Sequence, residues 1–158
     1  MNTQSESTTV YHLEMCNRDE SRPSSALPGF EIALNTPPTA LLNRHFYQAV
    51  GELWEWTDRL EWSENEWHTY VHRTALETWV GRFHGQSAGY FELELQEKGN
   101  VEIKYFGLLP EFIGHGLVDG CLRRRSNVLG NSENATSLGP HLYERSRARP
   151  RQLPQTWI

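Results

Sequence analysis

Val101–Leu117 reads VEIKYFGLLPEFIGHGL. Val101, Ile103 and Tyr105 alternate with Glu102 and Lys104, the period of a half-buried strand, and the run should extend to Leu109. Pro110 has no N–H for a ladder and stops it. Gly114-His115-Gly116 then opens what should be a helix. A strand, a glycine-bearing loop and a helix start, in that order, make an anion site. The first N–H groups of a helix are unpaired, and its dipole adds positive potential. Glycines let a diphosphate come close to the backbone. Gly-x-Gly by itself is equally the pattern of a tight turn, so the surrounding order has to carry the reading.

Upstream, three strand-like runs form an antiparallel meander: Leu76 to Phe83, Gly89 to Gln96 and Val101 to Leu109. Gly85-Gln86 is the first expected turn and Gly99-Asn100 the second. Before them, Ser63 followed by Glu66 is a capping box for a helix from about Glu64 to His72. Thr39 to Val50 reads as an earlier helix, with Leu41, Leu42, His45, Phe46 and Val50 near one face and Gly51 placed to end it. Phe30, Ile32 and Leu34 alternate as a strand stopped near Pro37-Pro38, and Tyr11, Leu13 and Met15 alternate as another. Asn17 to Pro28 reads as a loop, and residues 1–9 as polar and disordered.

Glu111-x-x-Gly114-x-Gly116 after such a strand resembles the coenzyme A loop of the GCN5-related N-acetyltransferases. The family pattern begins with Gln or Arg, where this chain has Glu111. VEIKYFGLLPEFIGHGL is similar throughout to one bacterial branch of that family, as is the aromatic segment His45 to Trp56, HFYQAVGELWEW. The resemblance covers about residues 10–117. It implies an α/β fold with a mixed α+β sheet, the acyl-CoA N-acyltransferase fold, incomplete after the coenzyme A loop. It implies transfer of an acetyl group from acetyl-CoA, as cosubstrate and without a metal, to a primary amine on a small molecule or peptide, and it allows a homodimer.

The resemblance also implies roles. The last strand of the meander would splay at a bulge near Gly107, and free amides near Phe106, Leu108 and Leu109 would pair with the pantetheine arm. Glu111 starts the loop, and amides at Phe112, Ile113, Gly114, His115 and Gly116 would hold the diphosphate. Direct transfer needs a base, because an ammonium has no lone pair to attack with. Glu102 stands where several members carry a catalytic glutamate; the plainer reading is a solvent-facing strand residue. The tryptophans Trp54, Trp56, Trp62 and Trp67 fall where the family's acceptor site lies, or serve helix packing. The nearby acids Glu52, Glu55, Asp58, Glu61, Glu64 and Glu66 draw a cationic amine or form a charged face. His68 and His72 have i,i+4 spacing, but no third ligand stands out, so no metal is expected.

The chain has 158 residues, one domain's worth, with 37% hydrophobic residues, enough for a core. No apolar run approaches membrane length, MNTQSESTTV is not a secretion signal, and two cysteines (Cys16 and Cys121) make no disulfide framework. These point to a cytoplasmic protein. Charge is uneven: residues 1–117 carry 8 basic and 17 acidic residues, and residues 118–158 carry 7 arginines and 3 acids. That basic tail has neither helical nor strand period and is expected to be poorly ordered. Codon degeneracy lets Leu138–Ile158 be recoded, one base out of frame, into a string similar to the family's next strand and helix. A frameshifted, inactive product is therefore one alternative. A small binding module with a basic arm is another, though its arginines lack the interleaved aromatics of a nucleic-acid site.

Overall fold

β-Branched and aromatic residues gather in four runs, and in a computed structural model covering residues 27–97 and 100–118 these are the strands. They are β1 (Phe30–Leu34), β2 (Leu76–Phe83), β3 (Gln86–Leu95) and β4 (Val101–Leu108). Each pairs antiparallel with the next, so the sheet order is the chain order, β1-β2-β3-β4. Two helices, α1 (Ala40–Gly51) and α2 (Glu64–Val71), connect β1 to β2. Expectations for residues 1–26, for Gly99 and for the tail beyond Val118 lie outside the described residues.

The capping box forms as the sequence requires. Ser63 Oγ accepts from the Glu66 N–H, and Glu66 Oε2 accepts from the Ser63 N–H at 2.7 Å. Two otherwise unpaired donors are thereby satisfied at the start of α2. The β2–β3 turn sits one residue earlier than expected. His84 and Gly85 are both left-handed (φ 49° and 82°), Phe83 pairs with Gln86, and a two-residue hairpin loop requires that geometry.

The buried face of α1 is also rotated from its sequence reading. Leu41 and His45 are exposed, while Asn43, Phe46, Tyr47 and Val50 are buried. The two polar members go inward because each finds partners there: Asn43 reaches Thr78 and Glu92, and Tyr47 reaches Asp58. Gly51 does not end the helix through a left-handed turn. The chain continues into a short 3-10 turn, Glu52–Trp54, and the left-handed residue is Glu55 (φ 54°).

The bulge in β4 is at Lys104 and not at Gly107. Leu93 pairs with Ile103 and Glu92 with Tyr105, so Lys104 is the extra residue. It changes the phase of the strand. Val101 and Ile103 pack with Trp79, Phe91 and Leu93 on one face, and Phe106 joins that cluster. Tyr105 instead faces α1, among Phe46, Val50, Val80 and Tyr90. Strict alternation would have put Tyr105 with Ile103.

Gly107 has a different role from the one expected of it. A Cβ there would overlap Val50 Cγ1, so the missing side chain lets α1 lie close against β4. Gly107→Ala should destabilise the fold by about 1–3 kcal/mol, the usual range for overpacking. Adding Val50→Ala removes the clashing methyl and should recover part of that loss in a thermal-melt double-mutant cycle.

Candidate functional site

β4 is an edge strand of the described sheet, and its outer side is where chemistry can enter. The Leu109 N–H donates to Ala88 O at 2.9 Å, which ties the end of the strand to β3. Amides alternate in direction along an antiparallel strand. Those of Phe106 and Leu108 therefore turn away from β3, whereas that of Leu109 is already taken.

The loop beyond follows from Pro110. Its ring suits the first position of a helical turn, and Pro110–Phe112 form one turn of 3-10 helix. The Phe112 N–H donates to Leu109 O at 2.9 Å and that of Ile113 to Pro110 O at 3.3 Å, so two of the five amides expected at the diphosphate close the turn instead. Glu111 is exposed at this turn. Gly114 and Gly116 are left-handed (φ 89° and 72°), a region that disfavours a side chain. A Cβ at either would meet no atom within 4 Å, so both border open space. Among the described residues the N–H groups of Gly114, His115 and Gly116 make no backbone hydrogen bond, and the chain turns helical at Leu117. Three amides that pair with no described backbone group, in a glycine cradle at a helix start, suit an anion. Leu117, fully buried against Ala88 and Leu108, fixes the cradle to the sheet.

Glu102 lies six residues before Leu108, about 20 Å away at strand rise. Its carboxylate accepts from Gln96 Nε2 at 2.8 Å and Lys104 Nζ at 3.2 Å. Lys104 is also 3.5 Å from Glu94, which pairs with Arg73. Glu102 thus ends a small ion network at the start of β4.

The segment between the helices divides into packing and surface. Trp67 is core, Trp56 and Trp62 are half-buried, and Trp54 is exposed. Among the acids, Asp58 is exposed like its neighbours but is held by two hydroxyls. Its Oδ1 accepts from the Tyr47 hydroxyl at 2.9 Å and its Oδ2 from the Tyr105 hydroxyl at 2.5 Å. Partial burial works against its charge, but the Tyr105 and Tyr47 hydroxyls outweigh that and hold it below the usual aspartate range. Desolvation pushes both tyrosines well above theirs, so they remain protonated donors.

Arg59 and Glu92 were not legible as a pair. Arg59 is 7% exposed and Glu92 0%. Glu92 accepts from Asn43 at 2.7 Å and from the Tyr70 hydroxyl at 2.5 Å, with Arg59 Nη1 3.7 Å away. Burial pushes the Glu92 carboxyl above the ordinary glutamate value, against the pull of Tyr70, Arg59 and Asn43. The Arg59 guanidinium lies 3.9 Å from the Tyr70 ring centre, 4.4 Å from Tyr105 and 4.5 Å from Trp62. The available signal was a lone arginine in an acidic, aromatic segment and a carboxylate inside an apolar strand.

His68 on α2 and His72 just past its end are exposed and stack with ring centres 4.0 Å apart. Among the described residues no three histidine, cysteine or acidic side chains gather to hold a metal ion, and no helix is long and apolar enough to cross a membrane.

No family model and no curated protein sequence matches the chain. Solved structures do. An aminoglycoside acetyltransferase from an uncultured soil metagenomic sample superposes with a TM-score of 0.54 at 11% identity, over 70% of this chain and 78% of that one. A second soil-metagenome aminoglycoside acetyltransferase, solved with sisomicin, gives 0.55 at 7%, over 65% and 70%. The spermidine N-acetyltransferase of Vibrio cholerae, solved with CoA and spermine, gives 0.50 at 15%, over 64% and 63%. Identities this low speak to architecture alone: the chain has the fold of the GCN5-related N-acetyltransferases.

Proposed function

We propose that the chain transfers an acetyl group from acetyl-CoA to a primary amine. The observation that supports it most is the continuity of β4 with its loop. Two outward amides, at Phe106 and Leu108, lead directly to three amides, at Gly114, His115 and Gly116, that make no backbone hydrogen bond among the described residues. An extended arm bearing amides can add to the first set as a strand adds to an edge. A diphosphate can take the second. The bulge at Lys104 bends the strand beside the place where the reacting end would lie.

Acetyl-CoA supplies an activated acyl group, and the protein's work is to hold, orient and deprotonate. The edge amides fix the arm along β4. A glutamate on the same strand, Glu102, is the proposed base, receiving the amine proton directly or through a water. Structures of similar fold hold CoA with spermine, or sisomicin, which supports a small amine as acceptor.

The cradle gives a direct test. Valine at position 114 would force a β-branched side chain into φ near 89° and fill the open space with methyl groups. Calorimetry should show acetyl-CoA binding at least ~10-fold weaker to Gly114→Val than to the unmodified chain, about 1.4 kcal/mol or more. Equal affinities would refute the cradle and the reading built on it.

A further inference from the structure

We infer that Asp58 is an anchor for an ammonium group, and that the acceptor is therefore a molecule with at least two amino groups. This rests on the proposed function for the identity of the reaction, but the anchor itself stands on geometry. Asp58 has a side chain 62% exposed, yet both its oxygens are fixed, one by a tyrosine from α1 and one by a tyrosine from β4. An exposed aspartate ordinarily samples several rotamers; this one is held ready, so a ligand need not order it.

Its capacity is not exhausted. An ionised carboxylate offers about four acceptor positions, and Tyr47, Tyr105 and the residue's own backbone N–H take up three of them. Among the described residues the cation that reaches it is Arg59, whose Nε is 3.9 Å away. That guanidinium is buried, lies over three aromatic rings and is 3.7 Å from the equally buried Glu92, whose charge offsets its own. The charge of Asp58 is left largely for solvent. Beside it stand Trp56 and Tyr105, with ring centres 4.8 Å apart, and a carboxylate beside aromatic rings is a suitable setting for an ammonium.

The amine that is acetylated must give its proton to a base, and the two tyrosine hydroxyls that donate to Asp58 make it a poor one. Asp58 therefore suits a second, non-reacting ammonium of the same molecule. Tyr105, which it grips, immediately precedes Phe106, whose amide opens to the edge. The anchor thus lies next to the part of β4 assigned to the cofactor arm.

The test compares 1,4-diaminobutane with butylamine by NMR titration of the full chain without acetyl-CoA. The diamine should bind at least ~10-fold tighter, a preference that salt reduces. Asp58→Asn, which keeps shape and loses charge, should abolish the preference, and Glu61→Gln, at an exposed acid nearby, should keep it. Equal binding of the two amines to the unmodified chain, a preference that survives Asp58→Asn, or an equal loss in Glu61→Gln would each overturn the anchor. If Asp58→Asn does not fold, Tyr105→Phe decides: it releases one oxygen of the clamp, so the ratio should fall, and an unchanged ratio counts against the proposal. Acetyl-CoA is absent throughout, so this result and that for Gly114→Val can fail separately.

Discussion

Replacing Arg59 by alanine should lower the unfolding free energy by roughly 3–5 kcal/mol, the usual loss when one member of a buried ion pair is removed. Glu92 is fully buried at the centre of β3, and Arg59 is its ion-pair partner among the described residues, with Arg73 acting on it more weakly. Without the guanidinium the carboxylate keeps only the Asn43 amide and the Tyr70 hydroxyl. The rings of Trp62, Tyr70 and Tyr105 lose the group packed on them as well. Lysine should restore little, because a compact ammonium cannot lie flat over several rings as a guanidinium does.

The variant should also show a distinctive pH dependence. Burial already raises the Glu92 carboxyl above its ordinary value of 4.5, and removing Arg59 raises it further. A carboxyl whose folded-state pKa is raised holds its proton more tightly when folded. Its contribution to stability is complete below the unfolded value and is lost as pH rises through the folded one. Arg59→Ala should therefore be closest to the unmodified chain in acid, near or below pH 4.5, and diverge as pH rises. Urea melts across that range decide the matter; a constant gap would mean that lost packing, and not the charge of Glu92, sets the effect.

Glu102→Gln should reduce the rate of acetyl transfer by roughly 10²–10⁴ at neutral pH, the usual worth of a general base. Glutamine keeps the shape, and its one amide oxygen can still accept from Gln96 or from Lys104, so the fold should change by only ~1 kcal/mol, as for other partly exposed ion pairs. The deficit should shrink at high pH, where more of the amine is neutral before it binds. Initial rates with acetyl-CoA and a diamine, read between pH 6 and about 10, separate the possibilities. An unchanged rate at pH 7 would leave Glu102 as a member of the Lys104, Glu94 and Arg73 ion network and no more.

What the sequence discloses divides along physical lines. The capping box, the three runs of the meander and the prolines that stop β1 and β4 depend on neighbours within a few residues, and they read directly. The inward face of α1 did not, because Asn43 and Tyr47 are polar, and their partners lie far along the chain or beyond the helix end. The bulge at Lys104 left no local mark, since Val101 to Tyr105 alternate cleanly. Glu92 looked like one more acid in a strand because its counter-charge comes from Arg59, 33 positions earlier and on a loop. At the candidate site, Gly114 and Gly116 were legible because backbone geometry selects glycine. The clamp on Asp58 was not, because hydroxyls from two distant elements make it.

The extra residue in β4 also bears on how such a gene can vary. A bulge is how a strand takes in one more codon without inverting every side chain beyond it. Losing Lys104 would straighten β4 yet leave Val101, Ile103 and Phe106 on one face and Tyr105 and Gly107 on the other. A codon gained between Tyr105 and Gly107 has no such outlet. It would turn Gly107 away from Val50, drive a bulkier neighbour into α1, and displace Gly114 and Gly116 along their path from the strand. Length in β4 can thus drift by one unit at a single place, and reading frames that add or drop a residue elsewhere in it would forfeit the cradle.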